Sequence, residues 1–229
     1  MHALAQGLAP IYASHEGLLL FYEAEFTRNT EYGYFNLSTH FLWLGERTRR
    51  LGSAHIEYFH GIQNPIGLKI GPNANLEELA AILKQLNARS EPGKLVLIPR
   101  MGVGQVRTVL PRVVKVVQES GVPHLWEVDP MHGNTYKTED GIKTRRLTDV
   151  TAEIIAAYEV LQASGEHLAG MHLETAYEEV TECVGGTCGV GEADLCLRYK
   201  TLCDPRLNVS QTEELLREVG LRMGSNSEA

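Results

Sequence analysis

Leu95-Val96-Leu97-Ile98 is apolar at every position. A strand with one wet face shows a polar residue at every second position. An uninterrupted run belongs to a strand covered on both faces, as in a parallel sheet flanked by helices. This run is one of a series. Residues 38–43, 65–70, 94–100, 124–129, 169–174 and 201–204 each read as a short strand. Helical patterns lie between and after them, over 48–59, 76–87, 106–118, 149–163, 192–199 and 210–223. Asn75 is a good N-cap for the helix over 76–87, with Glu78 three residues on as in a capping box. Pro111 lies inside the helix over 106–118 and predicts a kink or a late start there.

About six strand–helix units in this order predict an α/β fold of the (β/α)8 TIM-barrel type. A closed barrel has eight units and typically ~250 residues. The expectation is therefore an incomplete barrel, short by about two units, unless strands near the N-terminus escape the pattern. The sequence contains no linker or low-complexity stretch, so residues 1–223 read as a single barrel-type domain and 224–229 as a disordered tail.

Composition narrows the function classes. The 229 residues carry a formal charge of -8, which argues against a general nucleic-acid binder, since phosphate neutralisation needs basic surface. No apolar run approaches the roughly 18 residues of a membrane helix. Met1-His2-Ala3-Leu4-Ala5-Gln6 has no charged segment leading into a long apolar core, so no signal peptide is read and a cytoplasmic location is expected. Cys183, Cys188, Cys196 and Cys203 include no C-x-x-C pair. Cys188 and Cys196 read as reduced packing residues, while Cys203 stays open.

In α/β folds the polar residues at the C-terminal strand ends face the active site. The first three strands supply the cations Arg47, Lys69 and Arg100, with Glu46 beside the first. The last three supply Asp129, His132, Glu174, Asp204 and Arg206. Lys69 lies between Leu68 and Ile70, where burial is costly unless an anion pairs with it. Cations converging on one face suit a phosphate or carboxylate. A histidine and carboxylates suit a divalent metal acting as a Lewis acid. Each residue alone also has a plain reading: Glu46-Arg47 as a solvated helix start, Lys69 snorkelling, Arg100 as a cap, His132 as a loop histidine, Glu174 as a surface carboxylate. Their recurrence at successive strand ends favours a phosphorylated, carboxylate-bearing substrate beside a cation.

These segments resemble class II (plant-like) 3-deoxy-D-arabino-heptulosonate 7-phosphate synthases. The resemblance rests on Ser14-His15-Glu16-Gly17-Leu18-Leu19-Leu20, on residues 38–49 (Ser38-Thr39-His40-Phe41-Leu42-Trp43-Leu44-Gly45-Glu46-Arg47-Thr48-Arg49), on Asn64-Pro65-Ile66-Gly67-Leu68-Lys69-Ile70-Gly71-Pro72, on Ile98-Pro99-Arg100-Met101-Gly102, on residues 129–135, on Val180-Thr181-Glu182-Cys183 and on residues 203–208. The resemblance implies an aldol-type condensation of phosphoenolpyruvate with erythrose 4-phosphate, the first step of the shikimate pathway toward aromatic amino acids. It implies His132, Glu174 and Asp204 as three of four metal ligands, and Glu46, Arg47, Lys69 and Arg100 as the phosphoenolpyruvate site. Lys69 and His132 are the implied catalytic residues. The implied metal is Mn²⁺, with Co²⁺ or Mg²⁺ as alternatives; it polarises the aldehyde that C3 of phosphoenolpyruvate attacks.

The family's fourth ligand, a cysteine on its first strand, has no counterpart here. Nor do a further phosphoenolpyruvate arginine and a Lys-Pro-Arg-Ser loop for the sugar phosphate. The family's pattern begins upstream of Met1, so the resemblance implies that the first two barrel units are the missing ones. A short form needing self-association or a second chain is expected. The alternatives are a phosphoenolpyruvate-binding regulatory homologue without turnover and an aldolase-like enzyme with a different aldehyde.

Overall fold

The computed structural model describes residues 10–224. Residues 225–229, most of the expected tail, lie outside them, while Gly224 closes a helix. In chain order the elements are β1 (Ser14–Glu16), α1 (Leu20–Phe26), β2 (Thr27–Thr30), β3 (Gly33–Asn36), β4 (Phe41–Leu44), α2 (Ala54–Gly61), β5 (Ile66–Ile70), α3 (Leu76–Leu86), β6 (Leu95–Pro99) and α4 (Val106–Ser120). They continue with β7 (Leu125–Val128), β8 (Thr135–Lys137), β9 (Lys143–Arg145), α5 (Leu147–Ala163), β10 (Leu168–Met171) and α6 (Val209–Gly224), with a 3₁₀ turn at Glu192–Leu197. Six parallel strands form one sheet in the order β1-β4-β5-β6-β7-β10, alternating with helices. This is an α/β fold with a partial TIM-barrel-like arrangement.

The number of strands agrees with the sequence reading, but their identity differs at both ends. Ser14–Glu16 is a strand: it pairs in parallel register with β4, Ser14 opposite Phe41 and Glu16 opposite Trp43. Three residues are too few to show a period, so only the pairing defines it. Residues 201–204, read as a strand, are instead a run of bends. The amides of Lys200, Thr201 and Arg206 donate to the carboxylate of Glu182 rather than to a neighbouring strand. The ladder resumes for a single bridge, Thr175 with Leu207.

The chain divides into two compact units. The first takes the chain up to Lys69 together with 75–97 and 116–125. Its β5 is buried at all five positions, as a strand covered on both faces must be. In α3 the buried Leu79, Ile82, Leu83 and Leu86 recur at helical spacing. Asn75 caps that helix by accepting from the amides of Glu77 and Glu78. The capping box is not closed, because the Glu78 carboxylate accepts from the amide of Leu51. The helix expected from residue 48 starts at Ala54, after Gly52 at φ +73 and with Ser53 as its cap. Gly17 lies against Phe59, where a Cβ would come within 2.6 Å of the ring.

The second unit takes 70–74, 98–115 and the chain from Trp126 onward. It holds the C-terminal ends of β5, β6 and β7, tied laterally: Arg100 N donates to Ile70 O, Asp129 N to Pro99 O and His172 N to Val128 O. Helix α4 contains Pro111 and runs from Val106, where the sequence reading began it. β8 and β9 form an antiparallel hairpin that pairs Thr135 with Arg145. The turns after β6 and β7 touch at backbone level. A Cβ on Gly133 would lie 2.3 Å from Gly102 N, and one on Gly102, at φ +82, would lie 2.7 Å from Gly133 O.

Gly133→Ala is therefore expected to lower stability by about 2–4 kcal/mol, since the obstructing atoms are backbone and cannot rotate away. Gly104→Ala, where no atom lies within 4 Å of the added carbon, should stay within about 0.5 kcal/mol of wild type. Urea denaturation of both variants checks the contrast.

Candidate metal centre

Three of the sequence-derived residues converge. His132, Glu174 and Asp204 each place one ligand atom within 4.8 Å of the others. His132 Nε2 lies 3.3 Å from Glu174 Oε1 and 3.8 Å from Asp204 Oδ2. His132 follows β7 in a tight turn whose amides at Met131 and His132 donate to Asp129 Oδ1. Glu174 follows β10. Asp204 is brought beside it by the bridge at Leu207, whose amide donates to Glu174 O at 2.9 Å and whose carbonyl accepts from Ala176 N at 2.8 Å. A parallel pairing of one residue thus unites ligands thirty positions apart.

The surroundings fit a cation. Asp129 is fully buried, and its Oδ2 lies 2.8 Å from His132 Nδ1. The carboxylate only accepts, so Nδ1 donates to it, and Nε2 is the ring nitrogen that faces Glu174 and Asp204. A carboxylate behind the imidazole is the usual support of a metal-bound histidine. The carboxylates divide their oxygens in the same sense. Glu174 Oε2 pairs with Arg145 and Asp204 Oδ1 with Lys143, while Oε1 and Oδ2 face the histidine. Burial favours the neutral form of Asp204, but the Lys143 hydrogen bond and charge, with Arg145, outweigh it and hold the carboxyl below its usual range. An ionised Asp204 is the form that ligates.

Lys143 and Arg145 on β9 are parts of the centre that the sequence reading did not pick out. Arg145 is wholly buried, donates through Nε to Thr135 Oγ1 at 3.0 Å, and pairs through Nη1 with Glu174 and with the carbonyl of Pro205. Its Nη2 is buried without a hydrogen-bond partner, 3.9 Å from Asp204 Oδ1. The available signal was Asp140-Gly141, a turn pair between two short segments, with Gly141 at φ +81.

Glu182 is a second support. This buried carboxylate accepts from the amides of Lys200, Thr201 and Arg206 and from Nε and Nη2 of Arg206, at 2.7–3.0 Å. It thereby grips the Asp204 loop on both flanks. Burial alone would raise its carboxyl, but Arg206 and the amides of Arg206 and Lys200 prevail and lower it. Cys183 beside it is buried, and burial pushes its thiol up to about 12, which suits packing rather than ligation. Cys203 is exposed with Sγ 3.6 Å from Asp204 Oδ2, and it does not join the cluster of possible ligands.

The remaining sequence-derived residues take separate positions. In the first unit Lys69 is 4% exposed with Nζ 5.5 Å from the centre of the Trp43 ring, so it does not snorkel to water. Glu46 pairs with Arg49: Arg49 Nη2 lies 2.8 Å from Glu46 Oε1, and its Nε donates to Lys69 O. Arg47 is exposed. Glu16, at the end of β1, packs its carboxylate where a Cβ on Gly45 would fall. In the second unit Arg100 Nη2 donates to His132 O at 3.2 Å.

A partial barrel whose strand ends gather one histidine and two carboxylates is an α/β protein with a candidate metal centre at the C-terminal ends of its strands. Residues 4–220 match the class-II DAHP synthetase family, and the chain belongs to that family. The phospho-2-dehydro-3-deoxyheptonate aldolases of Neurospora crassa and Streptomyces coelicolor are 43% and 46% identical, over 90% and 89% of this chain. In both cases the match covers 46% of the relative, so the chain spans about half the length of the curated proteins it matches. The solved structure of phospho-2-dehydro-3-deoxyheptonate aldolase from Francisella tularensis SCHU S4 shares the fold, with a TM-score of 0.53 and 16% identity over 80% of this chain and 55% of that one. No helix among the described residues is long and apolar enough to cross a membrane.

Because the carboxyl of Glu182 is lowered in the folded protein, its contribution to stability is present above the ordinary glutamate range of ~4.3. That contribution is lost as pH falls through the lowered folded value. Glu182→Gln should flatten this acid limb and cost roughly 2 kcal/mol at neutral pH. Urea denaturation between neutral and acid pH measures both.

Proposed function

We propose that this chain carries the metal and phosphoenolpyruvate groups of a 3-deoxy-7-phosphoheptulonate synthase. The observation that carries the reading is the His132–Glu174–Asp204 cluster, with His132 Nδ1 held by a buried Asp129. In the proposed reaction C3 of phosphoenolpyruvate bonds to the aldehyde carbon of erythrose 4-phosphate. Water adds at C2, and inorganic phosphate leaves by C–O cleavage.

A divalent cation, with Mn²⁺ first and Co²⁺ or Mg²⁺ as alternatives, supplies Lewis-acid polarisation of the aldehyde oxygen when bound. Glu174 and Asp204 offer the oxygens not used by Arg145 and Lys143, and Asp129 keeps His132 in the tautomer that can ligate. Arg47, Lys69 and Arg100, with Glu46, are assigned to the phosphate and carboxylate of phosphoenolpyruvate. The buried Nη2 of Arg145 offers a donor to an acceptor oxygen of a ligand beside the cation.

We further propose that self-association or a second chain completes the centre, to which the described residues His132, Glu174 and Asp204 offer three ligand atoms. The chain is further proposed to work in the cytoplasm, in the shikimate pathway.

Calorimetry with Mn²⁺ should show binding by the wild type and none by His132→Ala; equal affinity in the two would exclude the metal assignment. An assay of phosphoenolpyruvate loss with erythrose 4-phosphate and Mn²⁺ tests turnover. Consumption that depends on an added protein supports a two-chain site. Tight phosphoenolpyruvate binding without consumption, or consumption with another aldehyde only, excludes the proposed reaction. Light scattering during the assay should report more than one chain per particle if self-association completes the centre.

A further inference from the structure

Helix α5 presents Val150, Ile154, Ala157 and Leu161 to the core, all at 0% exposure. Glu153 is equally buried. An isolated carboxylate in such a place is costly, and an apolar side chain would serve the core better. The reason for a carboxylate lies in its partners. Oε1 accepts from the amides of Met101 at 2.8 Å and Gly102 at 2.9 Å, the two residues after Arg100. Oε2 accepts from Asn134 Nδ2 at 2.7 Å, two residues after His132.

Asn134 extends the same connection. Its Oδ1 accepts from Val103 N at 2.9 Å, and its Nδ2 also donates to Pro130 O at 2.8 Å. The backbones of Gly102 and Gly133 touch above this network, and Arg100 Nη2 reaches His132 O.

We propose that Glu153 is a positioning residue that locks the loop carrying Arg100 to the loop carrying His132, making the two a single rigid part of the site. This deepens the metal reading above and rests on it for its functional consequence. All three partners of Glu153 are N–H donors, which favours the ionised carboxylate. Burial works the other way and pushes its carboxyl up to about 7, with the charge of Asp129 in the same direction. The donors from Met101, Gly102 and Asn134 oppose that rise.

The test uses the full chain, with amide hydrogen exchange and Mn²⁺ as the probes. Glu153→Gln keeps the volume and one acceptor, loses the charge and sets an amide against Asn134 Nδ2. It is expected to speed exchange at Met101 and Gly102 at least tenfold, and to leave Leu97 unchanged. It should also weaken Mn²⁺ binding about tenfold, the size of loss seen when a partner behind a metal ligand is removed.

Faster exchange with unchanged Mn²⁺ affinity overturns the proposal, because Glu153 then only stabilises the fold. Unchanged exchange overturns it as well. If the wild type itself binds no Mn²⁺, the metal reading fails, and the lock between the loops stands or falls on the exchange rates alone. Should Glu153→Gln not fold, Asn134→Ala removes the link on the His132 side while Oε1 keeps Met101 and Gly102. A Mn²⁺ affinity weakened about threefold is then expected, and an unchanged affinity overturns the proposal.

Discussion

Three carboxylates with no exposure to water, Asp129, Glu153 and Glu182, govern the second unit. Burying an ionised group without partners costs several kcal/mol or forces it to neutralise. Each is instead surrounded by N–H donors, most of them backbone amides of the turns that follow the strands. The requirement runs in both directions. The turns need acceptors because they lie beyond the ladder, and the carboxylates need donors because they lie out of water. The loops that carry Arg100, His132 and Asp204 are fixed by that exchange.

A second tier of charges stands on this frame. Glu174 and Asp204 are half-buried and meet Arg145 and Lys143 on one side and His132 on the other. In this cluster the carboxylates of Asp129, Glu174 and Asp204 outnumber the two cations, which leaves negative charge facing the imidazole. A divalent cation matches that imbalance in sign and in ligand type, because imidazole nitrogen and carboxylate oxygen suit first-row metals. Arg145 and Lys143 also align the carboxylates in advance, so less ordering accompanies ligand binding.

The sequence was most informative where burial repeats along the chain. The runs ending at Ile70 and Pro99 are strands with both faces largely covered, and the run ending at Val128 alternates, with Trp126 and Val128 buried and Leu125 exposed; such patterns are visible in the letters alone. It was least informative where a strand is short or an element is held by side chains. Ser14–Glu16 is a strand only because β4 lies beside it. Residues 201–204 carry Leu and Cys as a strand might, yet Glu182 takes their flanking amides and leaves a bend. Lys143 and Arg145 were illegible for a related reason: a three-residue hairpin strand has no period, and their carboxylate partners lie 61 and 29 positions away.

By itself the sequence determined the alternating α/β plan, the family, and the residue types at the strand ends, since these depend on local pattern and on motifs read in order. It also singled out His132, Glu174 and Asp204 one by one. Only the tertiary structure decided that their ligand atoms share one small volume, that Asp129 turns Nε2 toward the carboxylates, and that Glu46 pairs with Arg49. Those outcomes depend on distances between segments far apart in the chain. Such distances are set by parallel pairing and by buried carboxylates seeking donors, neither of which leaves a periodic trace in the sequence.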